Sequence, residues 1–248
     1  MSQSRREALR RQQEAQARAK RNSRIVLIGA IIAGLVLVAV FGTVLFQGMS
    51  AGQSTSTPPN ATQAKDGIVV NPGKAKQGAP VVTLYLDYQC PVCKQFEETF
   101  GGVLNDMAGK GEIELQYHTM TFLDLNLRND SSKRAGIAAA CADIAGKYPD
   151  YHNTVFANQP LREGDGYTTT QLRSEFASSA GIVGDKLTAF QQCYDSKATS
   201  GFVDGTNELA SKAGVTATPT LRVNGKTVPN NAFPTSNPPA LRALILGQ

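Results

Sequence analysis

Residues that bind metal ions are scarce in this sequence, which contains two histidines and four cysteines among 248 residues. Structural zinc usually takes four ligands, commonly arranged as two close pairs. One close pair is present, Cys90 and Cys93, while His118 and His152 stand apart from it and from each other. The sequence therefore argues against a zinc or copper centre, which stays open as an alternative use of the cysteine pair. We expect no metal and no cofactor.

Charged residues are absent from Ile25 to Phe46, a stretch rich in Ile, Val, Leu and Ala. A helix of this length, rising about 1.5 Å per residue, crosses a hydrocarbon core of about 30 Å. This predicts a single transmembrane anchor over residues 25–46. A cleaved signal peptide is the alternative, because Ser50-Ala51-Gly52 offers small residues for cleavage, although the apolar core of such a peptide usually has about 7–15 residues.

Positive charge is concentrated before this apolar stretch. Residues 1–24 contain eight Lys or Arg and two Glu, so the rest of the chain is close to neutral although the formal net charge is +5. The basic balance therefore gives no argument for a nucleic-acid-binding domain. Because Lys and Arg are retained on the cytoplasmic side of a membrane, we predict a cytoplasmic basic head at residues 1–24. The chain after the anchor is then extracytoplasmic and held at the cell membrane.

Residues 47–66 are rich in Ser, Thr, Gln and Pro and have no apolar periodicity. Such a composition cannot bury a core, so we predict a flexible linker. From residue 67 to residue 248 the patterns follow the order strand, helix, strand, helical block, strand, hairpin, helix. This alternation is typical of an α/β domain whose helices cover a central sheet.

Several local signals place the elements of this domain. Val81–Tyr88 is β-branched and aromatic and predicts a buried strand, after which Cys90 opens a helix with proline at its first position. Gly101-Gly102 predicts a kink in that helix. Asp130-Ser131-Ser132 predicts the capped start of a helix in the helical block, and Asn224-Gly225 predicts a two-residue hairpin turn.

The motif Cys90-Pro91-Val92-Cys93 carries the chemistry. A thiol attacks a disulfide as a thiolate, and the Cys90 sulfur should face free backbone N–H groups of Val92 and Cys93 at the positive end of the helix dipole. Cys93 lies one helical turn deeper. We therefore predict that Cys90 forms the mixed disulfide with a substrate and that Cys93 resolves it.

The cysteine pair behind a strand, together with Thr218-Pro219 in front of the strand segment at 220–223, resembles the DsbA-like branch of the thioredoxin superfamily from about residue 67 to the end. The resemblance implies a thioredoxin fold with a helical insertion at about residues 129–198. It further implies that Pro219 is cis and lies against the Cys90 sulfur. The backbone of Thr218 would then pair with an extended substrate peptide. An ordinary trans Pro219 is the alternative.

Two positions depart from the family pattern. Many strongly oxidising DsbA-like proteins carry a His between the cysteines, where this chain has Pro91-Val92. The buried acid that the superfamily carries six residues before the first cysteine is Leu84 here. Asp87, three residues before Cys90, is a candidate for proton transfer or, alternatively, a cap for the loop.

The remaining cysteines, Cys141 and Cys193, fall in the helical block beside apolar neighbours. An exported location permits disulfides, so we predict a structural bridge between two helices of the insertion. Two buried free thiols, or a redox relay to Cys90, are the alternatives.

Taken together, the sequence predicts an α/β thioredoxin fold with a helical insertion, preceded by a single N-terminal transmembrane helix. The predicted activity is that of an extracytoplasmic thiol–disulfide oxidoreductase that donates disulfides to reduced exported polypeptides. The resemblance implies reoxidation by a membrane protein that is DsbB-like or similar to vitamin K epoxide reductase. A disulfide reductase or isomerase of the same fold, and a non-catalytic membrane-anchored peptide-binding adaptor, are the alternatives.

Overall fold

The computed structural model describes residues 56–229 and 237–247. The predicted basic head, the predicted anchor and the linker up to residue 55 lie outside the described residues. Within the part that is described, no helix has both the length and the apolar character needed to cross a membrane.

A mixed sheet forms the centre of the domain, and its strands lie in the order β1-β3-β2-β4-β5. Strand β2 is parallel to β3 and antiparallel to β4. Its buried apolar side chains place it at the centre of the core, as the β-branched segment predicts. The strands of the described sheet are β1 (Ile68–Val69), β2 (Val81–Leu86), β3 (Glu114–Thr119), β4 (Thr220–Val223) and β5 (Lys226–Thr227).

Helices cover this sheet, and most of them lie between β3 and β4. Their bounds in the described chain are α1 (Pro91–Phe96), α2 (Gly102–Gly109), α3 (Phe122–Leu127), α4 (Ser131–Ile144), α5 (Tyr148–Ala157), α6 (Phe176–Ser179), α7 (Asp185–Asp195), α8 (Ser200–Lys212) and α9 (Pro238–Leu246). The helices between β3 and α8 form the insertion. The predicted fold class, an α/β thioredoxin fold with a helical insertion, is confirmed for the described residues.

The hairpin and the kink appear where the sequence predicts them. Asn224 and Gly225, between β4 and β5, both have positive φ angles of 50° and 78°, as a two-residue hairpin turn requires. Between α1 and α2 the chain forms a π-helical turn, Glu97–Gly101. A Cβ atom on Gly101 would lie 2.5 Å from the Glu97 carboxylate. Glycine there leaves room for Glu97 to turn inward, where it lies 3.4 Å from the buried ring of His152.

Residues 56–66, which precede the predicted start of the domain at Gly67, already make contacts with the domain. The backbone N–H and the side-chain amide of Asn60 donate to the two carboxylate oxygens of Asp143 in α4, at 2.9 and 2.8 Å. The backbone of Ser56 donates to the carbonyl of Ala198 at 3.0 Å. Ser56 and Asn60 thus attach residues 56–66 to the insertion, and Asn60 supplies the polar partners of a buried carboxylate. We call this segment the N-terminal strap.

His118, on β3, is buried beneath the backbone of Gly67, and a Cβ atom on that glycine would meet the imidazole ring at 2.3 Å. Neither ring nitrogen has a hydrogen-bond partner among the described residues, and the nearest carboxylate, Asp66, lies 3.9 Å away. Burial is the main reason that the pKa of His118 falls to about 4, and the charge of Arg222 lowers it further against the opposing effect of Asp66.

We expect His118 to make the domain less stable in mild acid. Because its folded pKa lies below the usual value near 6.5, the unfolded chain binds a proton that the folded chain excludes. Its contribution is complete above about pH 6.5 and is lost as the pH falls towards 4, by up to about 3 kcal/mol. Urea unfolding of the full chain at pH 7 and pH 4.5 should show a smaller loss for His118→Gln than for the wild type. Equal losses would contradict this role.

Candidate active site

The cysteine motif lies at the end of the central strand. Strand β2 ends at Leu86, and the next residues form a loop that delivers Cys90 to the position immediately before α1. Pro91 occupies the first helical position, where a missing N–H costs no hydrogen bond. Both Cys90 and Cys93 are free thiols, with 6% and 1% of their surface exposed, whereas Val92 between them is 55% exposed. The structure therefore places Cys93 deeper than Cys90, as predicted.

The topology brings Thr218-Pro219 to the same edge of the sheet. Strand β4 is antiparallel to β2, with Thr220 opposite Tyr85, so the start of one strand lies beside the end of the other. The Thr218–Pro219 peptide bond is cis, as the resemblance implies. The Cys90 sulfur lies 3.5 Å from the backbone carbonyl oxygen of Thr218. The two motifs, separated by well over a hundred residues, therefore meet at one site.

The environment of Cys90 favours its thiolate. A hydrogen bond from the Cys93 thiol is the largest influence and lowers the pKa of Cys90 to about 6, against the opposing effect of burial. The Thr218 side chain and then the backbone N–H groups of Cys93 and Val92 lower it further. Among the described residues the Cys90 side chain makes no capping hydrogen bond at the start of α1, and the backbone N–H groups of α1 lower the pKa less than the Cys93 thiol does. The predicted lowering is present, but its main cause is the second thiol rather than the helix terminus.

Cys93 has the opposite character. Burial raises its pKa well above the usual value, and its hydrogen bond to Cys90 raises it further. The backbone N–H of Asp87 and the side chain of Thr218 act in the other direction, but less strongly. At neutral pH the pair thus consists of one thiolate and one thiol that donates to it. Such a pair suits the roles predicted for an attacking sulfur and a resolving sulfur.

A match to a family of known proteins agrees with this geometry. The protein-family model described as thioredoxin matches residues 73–238.

The chain belongs to the thioredoxin family.

Individual known proteins resemble it over most of their length. Disulfide bond formation protein D of Bacillus subtilis (strain 168) is 26% identical over 177 residues, which cover 70% of this chain and 76% of that protein. The crystal structure of reduced DsbA from Mycobacterium tuberculosis is 28% identical, with a TM-score of 0.59 over 73% of this chain and 90% of its own. MdbA, a thiol–disulfide oxidoreductase from Actinomyces oris, has a TM-score of 0.65 at 20% identity, over 78% of this chain and 93% of its own, and supports the fold alone.

These relatives narrow the enzyme class. With its free Cys90/Cys93 pair beside the Thr218-Pro219 loop, this thioredoxin-family chain is a protein thiol–disulfide oxidoreductase of the DsbA-like kind, related to proteins of disulfide bond formation.

The structure also pairs the other two cysteines of this thioredoxin-family chain. Cys141 in α4 and Cys193 in α7 form a disulfide with a Cα–Cα distance of 5.9 Å. The predicted bridge between two helices of the insertion is therefore present, and its structural role stays a prediction. Within the described residues, no group of three or more His, Cys, Asp or Glu side chains could hold a metal ion.

Sequence reasoning missed the residues that hold the active-site loop. The side-chain amide of Gln159, after α5, donates to the carbonyls of Tyr88 and Cys90 at 2.8 and 3.0 Å. The hydroxyl of Tyr167 donates to the Tyr88 carbonyl at 2.7 Å. These bonds satisfy buried carbonyl groups, which are costly to leave without partners. An isolated Gln and Tyr in a loop carry no sequence signal for this role, because the contacts depend on how the insertion packs.

The structure also shows where Leu84, which replaces the buried acid of the family pattern, and Asp87, the acidic residue nearest to Cys90, are located. Leu84 is buried in the core on β2, so the acid of the family pattern is replaced by an apolar side chain. Asp87 lies in the loop after β2 and is fully buried. Its backbone carbonyl accepts the N–H of Cys90 at 3.0 Å, and its carboxylate accepts the N–H of Gln89 at 2.9 Å. Asp87 therefore does stabilise the loop.

Proposed function

We propose that this enzyme donates disulfides to reduced, exported polypeptides through Cys90 and Cys93. The observation that carries this proposal is the Cys90 sulfur itself, which has a pKa of about 6 and lies against the cis-proline loop. With that pKa the sulfur is roughly nine-tenths thiolate at pH 7. A stabilised thiolate favours the reduced enzyme and so makes the oxidised enzyme a stronger disulfide donor.

The reaction follows from the two environments. In the oxidised enzyme a substrate thiolate attacks the Cys90 sulfur, the Cys90–Cys93 bond breaks, and Cys93 leaves and takes up a proton because its pKa is high. The second substrate thiol, after losing its proton, attacks the substrate sulfur of the mixed disulfide. Cys90 then leaves as a stabilised thiolate. The substrate loses two electrons and two protons; Cys93 keeps one proton and the solvent receives the other.

The half-buried Thr218-Pro219 segment supports a role in substrate binding. Thr218 lies two residues before the start of β4 at Thr220, and its backbone carbonyl contacts the Cys90 sulfur. An extended peptide that paired with this backbone would carry its own sulfur to the same place.

The proposed location is the outer side of the cell membrane, with residues 25–46 as a single-pass anchor and residues 1–24 in the cytoplasm. Its support is the charge-free apolar stretch and the basic residues before it, together with the Cys141–Cys193 disulfide, which suits an oxidising compartment. The donor must be reoxidised after each cycle. The proposed reoxidant is a DsbB-like or vitamin K epoxide reductase-like membrane protein, since an anchor would keep both partners in one membrane.

The Cys90–Cys93 reduction potential tests the direction of transfer. Equilibration of the full chain with glutathione buffers should give a potential less negative than about −180 mV, toward the value near −120 mV of a strong oxidant. The pH dependence of Cys90 alkylation in the reduced chain should have its midpoint near 6. A potential near −270 mV, as in thioredoxin, would instead favour the reductase alternative. A Cys90 thiol that titrates above 8 would remove the basis of the proposal.

A further inference from the structure

The loop that follows α5 is bonded to the active site at both of its ends. At its start, the side-chain amide of Gln159 donates to the carbonyls of Tyr88 and Cys90 at 2.8 and 3.0 Å. At its end, the hydroxyl of Tyr167 donates to the same Tyr88 carbonyl at 2.7 Å. Both ends of the loop therefore meet at one carbonyl group, two residues before the reactive cysteine. We call residues 159–167 the flanking loop.

The second half of the flanking loop is held against the start of α4. The side-chain amide of Asn129 donates to the carbonyl of Gly164 at 3.3 Å. A Cβ atom on Gly166 would lie 2.0 Å from the hydroxyl oxygen of Ser131, so this close approach requires glycine. Contacts at both ends and in its second half thus hold the flanking loop in one conformation beside Cys90.

Leu161, in the first half of the flanking loop, is fully exposed to solvent. A single exposed leucine is ordinary on a protein surface, and what distinguishes Leu161 is its place in a held loop beside the reactive cysteine. Contact with a partner would remove its apolar surface from water. Because the loop is already ordered by its bonds to the active site, little conformational entropy would be lost on binding.

The bond between Gln159 and Cys90 limits how far Leu161 lies from the reacting sulfur. Leu161 is two residues after Gln159, so their Cα atoms are at most about 7 Å apart, and the Gln159 amide is 3.0 Å from the Cys90 carbonyl. An extended peptide advances about 3.3 Å per residue. When the sulfur of such a peptide is bonded to Cys90, residues up to about four positions from its cysteine therefore reach as far as Leu161.

We propose that Leu161 is a specificity-determining residue, which binds a large apolar side chain of the substrate close to the cysteine that reacts. This proposal rests on the proposed function and names its substrate class. The substrates are polypeptides that have not yet folded, in which cysteines and neighbouring apolar residues are exposed together. In a folded protein most such apolar side chains are buried. Contact with Leu161 therefore favours unfolded chains over folded ones.

The test is competition between paired peptides for a limiting amount of the oxidised full chain. Each peptide carries two cysteines, and the members of a pair differ at one position up to four residues from a cysteine, with Leu in one and Ser in the other. The Cys90–Cys93 disulfide oxidises a dithiol peptide to its disulfide and is itself reduced to two thiols. After acid quench, mass spectrometry gives the ratio of the oxidised peptides. At one or more positions the wild type should prefer the Leu peptide by about 10-fold.

Variants of Leu161 should change this preference in a graded way. Leu161→Ala should reduce it to about twofold or less, whereas Leu161→Met, which keeps an apolar side chain of similar size, should retain it. Leu161→Asp should remove it and favour a peptide with Lys at that position over the Ser peptide by about threefold. Val183→Ala changes another exposed apolar side chain of the insertion and is the matched control. The intrinsic reactivity of each peptide cancels when the preferences of two variants are compared.

The variants should fold as the wild type does, because the Leu161 side chain is fully exposed. A wild type without any preference would overturn the proposal, as would a Leu161→Ala chain that keeps the wild-type preference. If Leu161→Ala instead lost self-association or binding to lipid vesicles while its peptide preference stayed unchanged, Leu161 would belong to a contact with a second copy or with lipid, and the proposal would again be overturned. A wild-type chain that oxidises no peptide would contradict the proposed function itself.

Discussion

Cys93→Ser should accumulate mixed disulfides at Cys90, and Cys90→Ser should abolish disulfide transfer altogether. The reason is the division of the pair into a Cys90 thiolate with a lowered pKa and a more deeply buried Cys93 thiol with a raised pKa. Without Cys93, the reverse attack that releases a bound thiol is lost. Without Cys90, no sulfur is left at the cis-proline loop to receive a substrate. To measure trapping, Cys93→Ser with Cys90 reduced is mixed with a model protein that carries a disulfide: the Cys90 thiolate attacks that disulfide, forms the mixed disulfide and releases one thiolate of the model protein, and non-reducing electrophoresis shows the product. To measure transfer, the wild type in its oxidised form and Cys90→Ser are each mixed with a reduced model protein.

The same variant tests location and partners when it is produced in cells. The chains trapped on Cys93→Ser should be exported proteins that contain cysteine, together with a membrane protein that serves as reoxidant. The Cys90→Ser/Cys93→Ser double variant is the matched control and should trap none of them. Full activity of Cys93→Ser without trapped species would show that the two roles are assigned wrongly. Trapping of cytoplasmic proteins alone would place the domain on the other side of the membrane.

Removal of the Cys141–Cys193 disulfide should produce the largest loss of stability. The bridge closes a loop with a sequence separation of 52 residues. In the chain-entropy description, a loop of that size gives about 4 kcal/mol of stabilisation. The double variant Cys141→Ala/Cys193→Ala should therefore unfold at clearly lower urea concentration than the wild type, with a similar dependence of the free energy on urea.

Controls for the Cys141→Ala/Cys193→Ala variant separate the effect of the bridge on stability from any effect on disulfide transfer. The comparison is made in chains that also carry Cys90→Ser and Cys93→Ser, so that no thiol can rearrange during unfolding. The chain with an intact active site and without the bridge should still transfer disulfides at temperatures where it is folded. Loss of transfer in a fully folded variant would favour the relay alternative, and a stability loss below about 1 kcal/mol would contradict the entropic argument.

The parts of the fold and site that depend on neighbours in sequence could be predicted. A β-branched strand, a proline after Cys90 and an Asn-Gly turn each determine their local structure through backbone preferences. The juxtaposition of Pro219 with Cys90 came from family resemblance, because no local signal links residues so far apart. The order of depth of Cys90 and Cys93 follows from the helix geometry alone.

What could not be predicted depends on packing between distant segments. Asp130 is the residue before α4, as predicted, but its side chain makes no capping bond; the N–H groups of Ser132 and Lys133 are accepted by Asp124 instead. The carboxylate comes from the preceding helix, outside the spacing that capping patterns describe. The leading influence on Cys90 is likewise a side chain, Cys93, whose hydrogen bond is set by the orientation of both thiols.

The bonds between the N-terminal strap and the insertion have a consequence for any truncated form of the enzyme. A soluble version that started at Gly67 would delete Asn60 and leave the Asp143 carboxylate inside α4 with neither of its two donors. A buried acceptor without its donor costs about 1–3 kcal/mol, and the carboxyl group would then favour its neutral form. A truncated form should therefore begin before Ser56. It then keeps the N-terminal strap, whose Asn60 supplies the two donors to Asp143 in the helical insertion.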